Sequence, residues 1–226
     1  WKVLNGTKAD KVTLCFSDRK NYRKKINPDY KSNRKGGRKP MCFSAAIDYC
    51  KSEYLCDLWD WLEADDVIGI RATKPSKTEK IIVSEDKDLL TIPGLHWDFK
   101  EEKIFEWTED YADYQFFHQT LVGDSTDNYK GCQGVGPISA EKILRGNTGS
   151  VLDMWEAVLE AFLKAGQTEQ DAIINARMAR ILRHKEFDTH SKQIVLWTPK
   201  GKAKTFDANP VKEKPLIHEP NLWRTG

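Results

Sequence analysis

Two short β-prone runs, Lys11–Phe16 and Lys80–Ser84, each stop against carboxylates, and the stretches between and around them carry helical spacing. Such runs read as buried parallel strands, with Asp18 beyond the first and Glu85 and Asp86 beyond the second. Tyr54 to Asp57 reads as a further short strand, while Phe43 to Glu53 and Ala64 to Thr73 read as helices. Alternation of this kind constrains the chain to an α/β layer fold built from βαβ units. In that architecture, residues beyond the carboxyl ends of the strands gather in one crevice.

The acids that would gather there are Asp18, then Glu63, Asp65 and Asp66, then Asp86 and Asp88, then Asp124 and Asp127. Two carboxylates about 4 Å apart repel by roughly 4 kcal/mol at the effective dielectric of a protein surface. A convergent set therefore needs divalent cations, and hard oxygen ligands suit Mg²⁺ or Mn²⁺. A pair of such ions holds the attacking and leaving oxygens of a phosphodiester, which points to a metal-dependent nuclease. Each group also has a plainer reading. Acids in the first turn of a helix are favoured by its dipole, Asp86 and Asp88 suit a charged loop, and Asp124-Ser-Thr-Asp127 suits a turn or cap. Glu63 joins Asp65 and Asp66 in one site only if it lies on the loop before the helix, and that bend is expected. Asp86 and Asp88, in extended chain, would point the same way.

Charge is segregated. Residues 19 to 39 hold ten Lys or Arg and one acid, Asp29, within a chain of 226 residues and net charge +2. Such a block is either a footprint for a polyanion or a solvated loop. Tyr22 and Tyr30 interleave with Arg23, Lys24, Lys31 and Arg34, a mixture suited to stacking on unpaired bases while cations hold the backbone. Further on, Gly131-Cys-Gln-Gly134-Val-Gly136-Pro137 leads into a helix with proline at its first position. The free backbone N–H groups there attract a phosphate without reading a base, unless the segment is only a tight αα turn. Gly134, Gly136, Ser139 and Lys142 are the expected contacts. Leu95 to Phe99 and Lys103 to Trp107 read as a hairpin at a sheet edge. After Tyr111 the pattern turns helical, with a stripe over Ser150 to Lys164 and another helix beginning at Thr168.

Five cysteines lack CxxC spacing and the histidines lack zinc spacing, so free thiols in a reducing cytoplasm are expected. No long apolar segment suggests membrane insertion. The division expected is an α/β unit over 1–110, a helical DNA-binding region over 111–198 and an extended tail over 199–226.

Taken in order, these blocks resemble the 5′-to-3′ exonuclease and flap endonuclease superfamily, most closely the 5′-to-3′ exonucleases of short-tailed bacteriophages. The resemblance runs from the Asp18 strand and Asn27-Pro-Asp-Tyr-Lys-Ser-Asn-Arg34 through Glu-Ala-Asp-Asp66, Asp86/Asp88 and Gly-Asp-Ser-Thr-Asp127 to the glycine hairpin. Met178-Ala-Arg-Ile-Leu-Arg183 and Ile194-Val-Leu-Trp197 extend it. It implies a PIN-like, mainly parallel sheet, a helix-hairpin-helix element and two-metal hydrolysis of DNA 5′ ends, with flaps as a second substrate, in phage DNA replication or recombination. By the same resemblance Asp18, Glu63, Asp65 and Asp66 surround one ion. Asp86, Asp88, Asp124 and Asp127 hold the second, and Lys31 and Arg34 steer the scissile phosphate. Partners would be DNA and other replication proteins. The family also opens on a strand bearing another catalytic Asp, whereas the first strand here corresponds to the family's second. The chain begins at Trp1, so either a preceding portion of a longer protein or another polypeptide is expected to supply that strand, and without it the chain would bind DNA yet cut weakly. A non-catalytic DNA-end binder and a ribonuclease of the same architecture are the alternatives, and the eight acids weigh against a pure binder because phosphate affinity rises with cations.

Overall fold

The computed structural model describes residues 2–34, 40–147, 150–199 and 204–207. After a short helix α1 (Lys2–Thr7), strand β1 (Thr13–Phe16) pairs in parallel with β2 (Leu55–Leu58), Thr13 opposite Leu55 and Phe16 opposite Leu58. Between them lie α2 (Arg23–Ile26) and α3 (Phe43–Glu53). Helix α4 (Ala64–Thr73) follows and touches β1, β2 and the two-residue strand β3 (Ile81–Ile82). β3 pairs in parallel with β4 (Gly94–Asp98), which turns back antiparallel as β5 (Lys103–Trp107). Among the described residues, the single central sheet expected from the sequence is thus two ladders, β1–β2 and β3–β4–β5, spanned by α4. β3 is short because the chain beyond Ile82 turns into the acidic loop and a 3-10 turn, Lys87–Thr91.

Helices α5 (Glu109–Val122), α6 (Pro137–Arg145), α7 (Val151–Lys164) and α8 (Glu169–Ala179) make up the rest. Their starts are set by capping chemistry. The side chains of Thr108, Ser150 and Thr168 accept from the backbone N–H three residues on, and Asp171 returns a bond to Thr168 N at 2.8 Å, closing a capping box. Phe116, Phe117, Leu121, Leu144, Trp155, Val158 and Phe162 fill the core between these helices. Trp197 enters it edge-on to Phe116, Phe117 and Trp155, at centroid distances of 5.3, 6.0 and 5.0 Å.

The chain then recrosses the α/β part. Leu182, Phe187, Ile194 and Leu196 pack with Tyr22, Leu62, Val67 and Ile70 in a second core. A Cβ on Gly69 would lie 2.4 Å from the Leu182 carbonyl oxygen, so only glycine lets α4 approach this returning segment. Strand β6 (Gln193–Leu196) pairs antiparallel with β7 (Lys204–Asp207). Within the expected extended tail, residues 204–207 are extended as a strand that completes the free edge of β6. Residues 208–226 of that tail lie outside the described residues. The five cysteines are free thiols. Among the described residues no helix is long and apolar enough to cross a membrane.

Candidate active site

Glu63 precedes α4 in extended conformation, φ −82° and ψ 161°, which is the bend that turns its side chain toward Asp65 and Asp66. Asp86 caps the 3-10 turn after β3, its Oδ1 accepting from Asp88 N at 3.0 Å. This corrects the expectation of extended chain at Asp86 and Asp88: the carboxylate competes for local backbone N–H groups and bends the loop. Asp124 opens a tight turn whose Oδ1 accepts from Thr126 N at 2.6 Å and Asp127 N at 3.2 Å. Two glycines seat that turn. Gly123 and Gly131 have φ of 72° and 67°, and a Cβ on either would lie 2.5 or 2.4 Å from backbone of the facing segment.

The three acidic segments sense one another. Burial, then the charges of Asp66, Glu63 and Asp86, push the Asp65 carboxyl up to about 7. Burial, then Asp86 and Asp124, push Asp88 up to about 6, with Asp127 contributing. Glu63 behaves in the opposite way. Burial alone would raise it, but Arg23 and Lys31 outweigh burial and hold it below the usual carboxylate range.

Cations answer part of this charge. Residues 27–34 form a strap fastened to the 124–128 turn. Lys31 N donates to the Asp127 carbonyl at 2.8 Å, Asn33 Nδ2 to the Ser125 carbonyl at 2.7 Å and Asn128 Nδ2 to the Asp29 carbonyl at 2.8 Å. The Lys31 ammonium pairs with Glu63 and lies 3.3 Å from Asp127 Oδ2, and the Arg34 guanidinium pairs with Asp127 Oδ1. The Tyr30 hydroxyl lies 2.9 Å from Glu63 Oε2 and 2.8 Å from Asp127 Oδ2, joining two acidic segments.

Several residues stand elsewhere than their sequence pattern implied. Asp66, expected as an ion ligand, is fully buried, and its oxygens are taken by Arg23 at 2.7 and 2.8 Å, Leu182 N at 3.1 Å and Glu63 N at 3.3 Å. Arg23, expected on DNA, is 2% exposed and also donates to the carbonyls of Met178 and Arg180 at 3.3 and 2.6 Å. A buried carboxylate demands a partner, and the guanidinium fork supplies one. Tyr22 and Tyr30, expected as stacking faces, are 1% and 2% exposed, because the apolar rings are worth more in the core than in water. Asp18 is tied to backbone, Oδ1 accepting from Arg19 N at 2.7 Å and Oδ2 from Trp61 N at 2.8 Å. Lys24 is exposed, as are Gly134, Gly136, Ser139 and Lys142 on the hairpin and the start of α6.

Two residues escaped sequence reasoning. Among the described residues the buried Tyr129 hydroxyl has no hydrogen-bond partner and feels Asp88, Asp124 and Asp127, and Trp61 adopts φ 65° two residues before Glu63. Tyr129 stands alone between Asn128 and Lys130, and Trp61 lies in the mostly apolar run Leu58-Trp-Asp-Trp-Leu62, so neither offers a pattern that separates such roles from packing.

Among the described residues no three His, Cys, Asp or Glu side chains stand close enough to cage an ion, which corrects the expectation of one tight pocket for all eight acids. The acids instead form a looser group, with Lys31 and Arg34 drawn onto Glu63 and Asp127 by their charge. Among the described residues Asp65, Asp86, Asp88 and Asp124 have no ion-pair partner. Their excess charge and all-oxygen chemistry fit a hard divalent cation.

The model of the 5′-3′ exonuclease N-terminal resolvase-like domain matches residues 1–112. The exodeoxyribonuclease of Enterobacteria phage T3 is 32% identical over 223 residues, an alignment covering 84% of this chain and 74% of that protein. The chain belongs to the 5′-3′ exonuclease family. Another family member, the exonuclease of Escherichia phage T7, is 33% identical over 222 residues, covering 83% of this chain and 74% of its own. Among solved structures, a bacteriophage T5 flap endonuclease complexed with DNA and metal ions superposes with a TM-score of 0.58 at 17% identity, over 78% of this chain and 80% of that one. That likeness shows the α/β fold alone.

Proposed function

We propose that the chain is a divalent-metal-dependent 5′-to-3′ deoxyribonuclease acting on ends of duplex DNA. The observation that carries this reading is the approach of Glu63, Asp65, Asp86, Asp88, Asp124 and Asp127 from three segments, with Asp65 and Asp88 raised to about 7 and 6 by burial and by neighbouring carboxylates, Asp86 acting on both. A set so strained by like charge suits cation binding better than structure alone. Metal binding would draw Glu63 and Asp65 onto one ion, and Asp86, Asp88, Asp124 and Asp127 inward from their looser arrangement onto another, as Mg²⁺ or Mn²⁺. When bound, such ions lower the pKa of water and neutralise charge on a phosphodiester.

The chain's own residues supply the rest. Lys31 and Arg34, on the strap fastened to the 124–128 turn, would leave their carboxylates and receive the phosphate. Tyr30 keeps Glu63 and Asp127 in register while they do so. Arg23 and Asp66 act behind them, anchoring the start of α4. Gly134 and Gly136, at the exposed mouth of α6 with Pro137 in its first turn, would form the hairpin of a helix-hairpin-helix element, with Ser139 and Lys142 beside the same phosphate path. The resemblance to the exodeoxyribonuclease of phage T3 supports DNA as the substrate.

The deciding assay digests 5′-labelled and 3′-labelled duplex, a 5′-flap duplex and matched RNA, with Mg²⁺ or EDTA. Mononucleotide release from 5′ ends of DNA in Mg²⁺ only, lost on Asp86→Ala with DNA binding kept, is the expected result. Cleavage in EDTA, or equal turnover by Asp86→Ala, would refute the assignment. Faster loss of RNA would favour a ribonuclease, and binding without cutting an end-binding protein.

A further inference from the structure

We propose that Trp61, flanked by Lys20 and Lys25, is a stacking platform for an unpaired nucleobase of the DNA strand whose phosphodiester enters the acidic site, an inference that rests on the nuclease reading above. Trp61 has left-handed backbone at φ 65°, which a bulky L residue seldom adopts and which costs free energy. The surroundings hold it there. Its N–H donates to Asp18 Oδ2 at 2.8 Å, its carbonyl accepts from Tyr22 N at 3.1 Å, and the next residue, Leu62, is fully buried.

This backbone leaves the indole only partly buried, at the margin of the core formed by Tyr22, Leu62, Val67 and Ile70. Two exposed lysines lie against it, Lys20 Nζ at 5.4 Å and Lys25 Nζ at 5.3 Å from the ring centroid. A ring quadrupole attracts an exposed ammonium only weakly, so neither lysine is committed to the indole. A nucleotide offers both a stronger partner. Its base takes the indole face while each ammonium moves to a flanking phosphate, the combination by which proteins hold unpaired strands. Nearby Trp59 is not equivalent, because its ring already stacks on Phe187 at 5.3 Å.

Position identifies the occupant further. Trp61 stands two residues before Glu63 and shares a hydrogen bond with Asp18, so a base on the indole belongs to a nucleotide beside the acidic site. Within a duplex, base faces are covered by their neighbours, which restricts the ligand to a frayed or single-stranded end. Lysines without the ring would hold the backbone and be indifferent to a missing base.

The test uses the whole chain, in Ca²⁺ buffer, with duplexes carrying a short unpaired 5′ extension. Single 2-aminopurine or abasic residues are placed in turn at each unpaired position. Wild-type protein and Trp61→Phe should quench 2-aminopurine at one position and bind about tenfold more weakly when that nucleotide is abasic, the size of one base–aromatic stack. Trp61→Gly, whose residue suits the backbone, should bind the intact DNA about tenfold more weakly, without quenching and without further loss on the abasic DNA. The platform is overturned if wild type binds but neither quenches nor responds to an abasic nucleotide at any unpaired position, or if Trp61→Gly keeps the wild-type quenching and abasic penalty. Wild-type protein that binds none of these DNAs would instead sink the nuclease reading on which the platform depends.

Discussion

At Asp65 and Asp88, folding opposes ionisation. Their carboxyls are raised above their unfolded values, Asp65 to about 7 and Asp88 to about 6, so the folded chain holds protons that the unfolded chain has released. Stability therefore falls as pH climbs from about 4, the unfolded value, through 6 and 7, and levels off above. Melting temperature in EDTA should fall over that interval, while Mg²⁺ should lift it most at pH 8, where both groups are charged. A Mg²⁺ increment independent of pH would contradict the site. Asp66 sits beside these residues and behaves otherwise, because Arg23 meets both its oxygens. Replacing Arg23 with Ala strands a buried carboxylate and should cost about 3–5 kcal/mol in urea unfolding. The acidic motifs were readable from their places after apolar runs. The burial of Arg23 was not, because its partner lies 43 residues away and a basic block looks alike whether its members face solvent or core.

At the scale of elements, α3, α4 and the β4–β5 hairpin follow from spacing and turn residues, both local signals. Non-local geometry was hidden. Nothing in the residues around Gly131 announces that Leu121 and Gly123 come against them, yet that approach seats the Asp124 turn. Gly131→Ala places a methyl group 2.4 Å from the Leu121 carbonyl oxygen at φ 67°, a conformation L residues resist. It should lower stability by about 1–3 kcal/mol and loosen Asp127 from the strap. Thermal melts together with Mn²⁺ titration would register both effects, and a variant with unchanged melting and metal affinity would dispute the role given to this close approach.

Across the whole molecule, segregation of charge survives folding but changes its meaning. Part of the basic block turns inward as Arg23, part lies over the acids as Lys31 and Arg34, and Arg19, Lys20, Lys24 and Lys25 face outward. Arg23 also joins distant stretches of chain, since its guanidinium reaches the first turn of α4 and the carbonyls that end α8. Leu182, Ile194 and Leu196 reinforce that junction from the returning segment. Such a clasp leaves neither half with a finished interior when the other melts. Urea denaturation followed by circular dichroism and by tryptophan emission should give one coincident transition, and limited proteolysis should release no folded helical fragment. An arginine that composition would assign to the ligand thus makes the α/β part and the helical part live or die together.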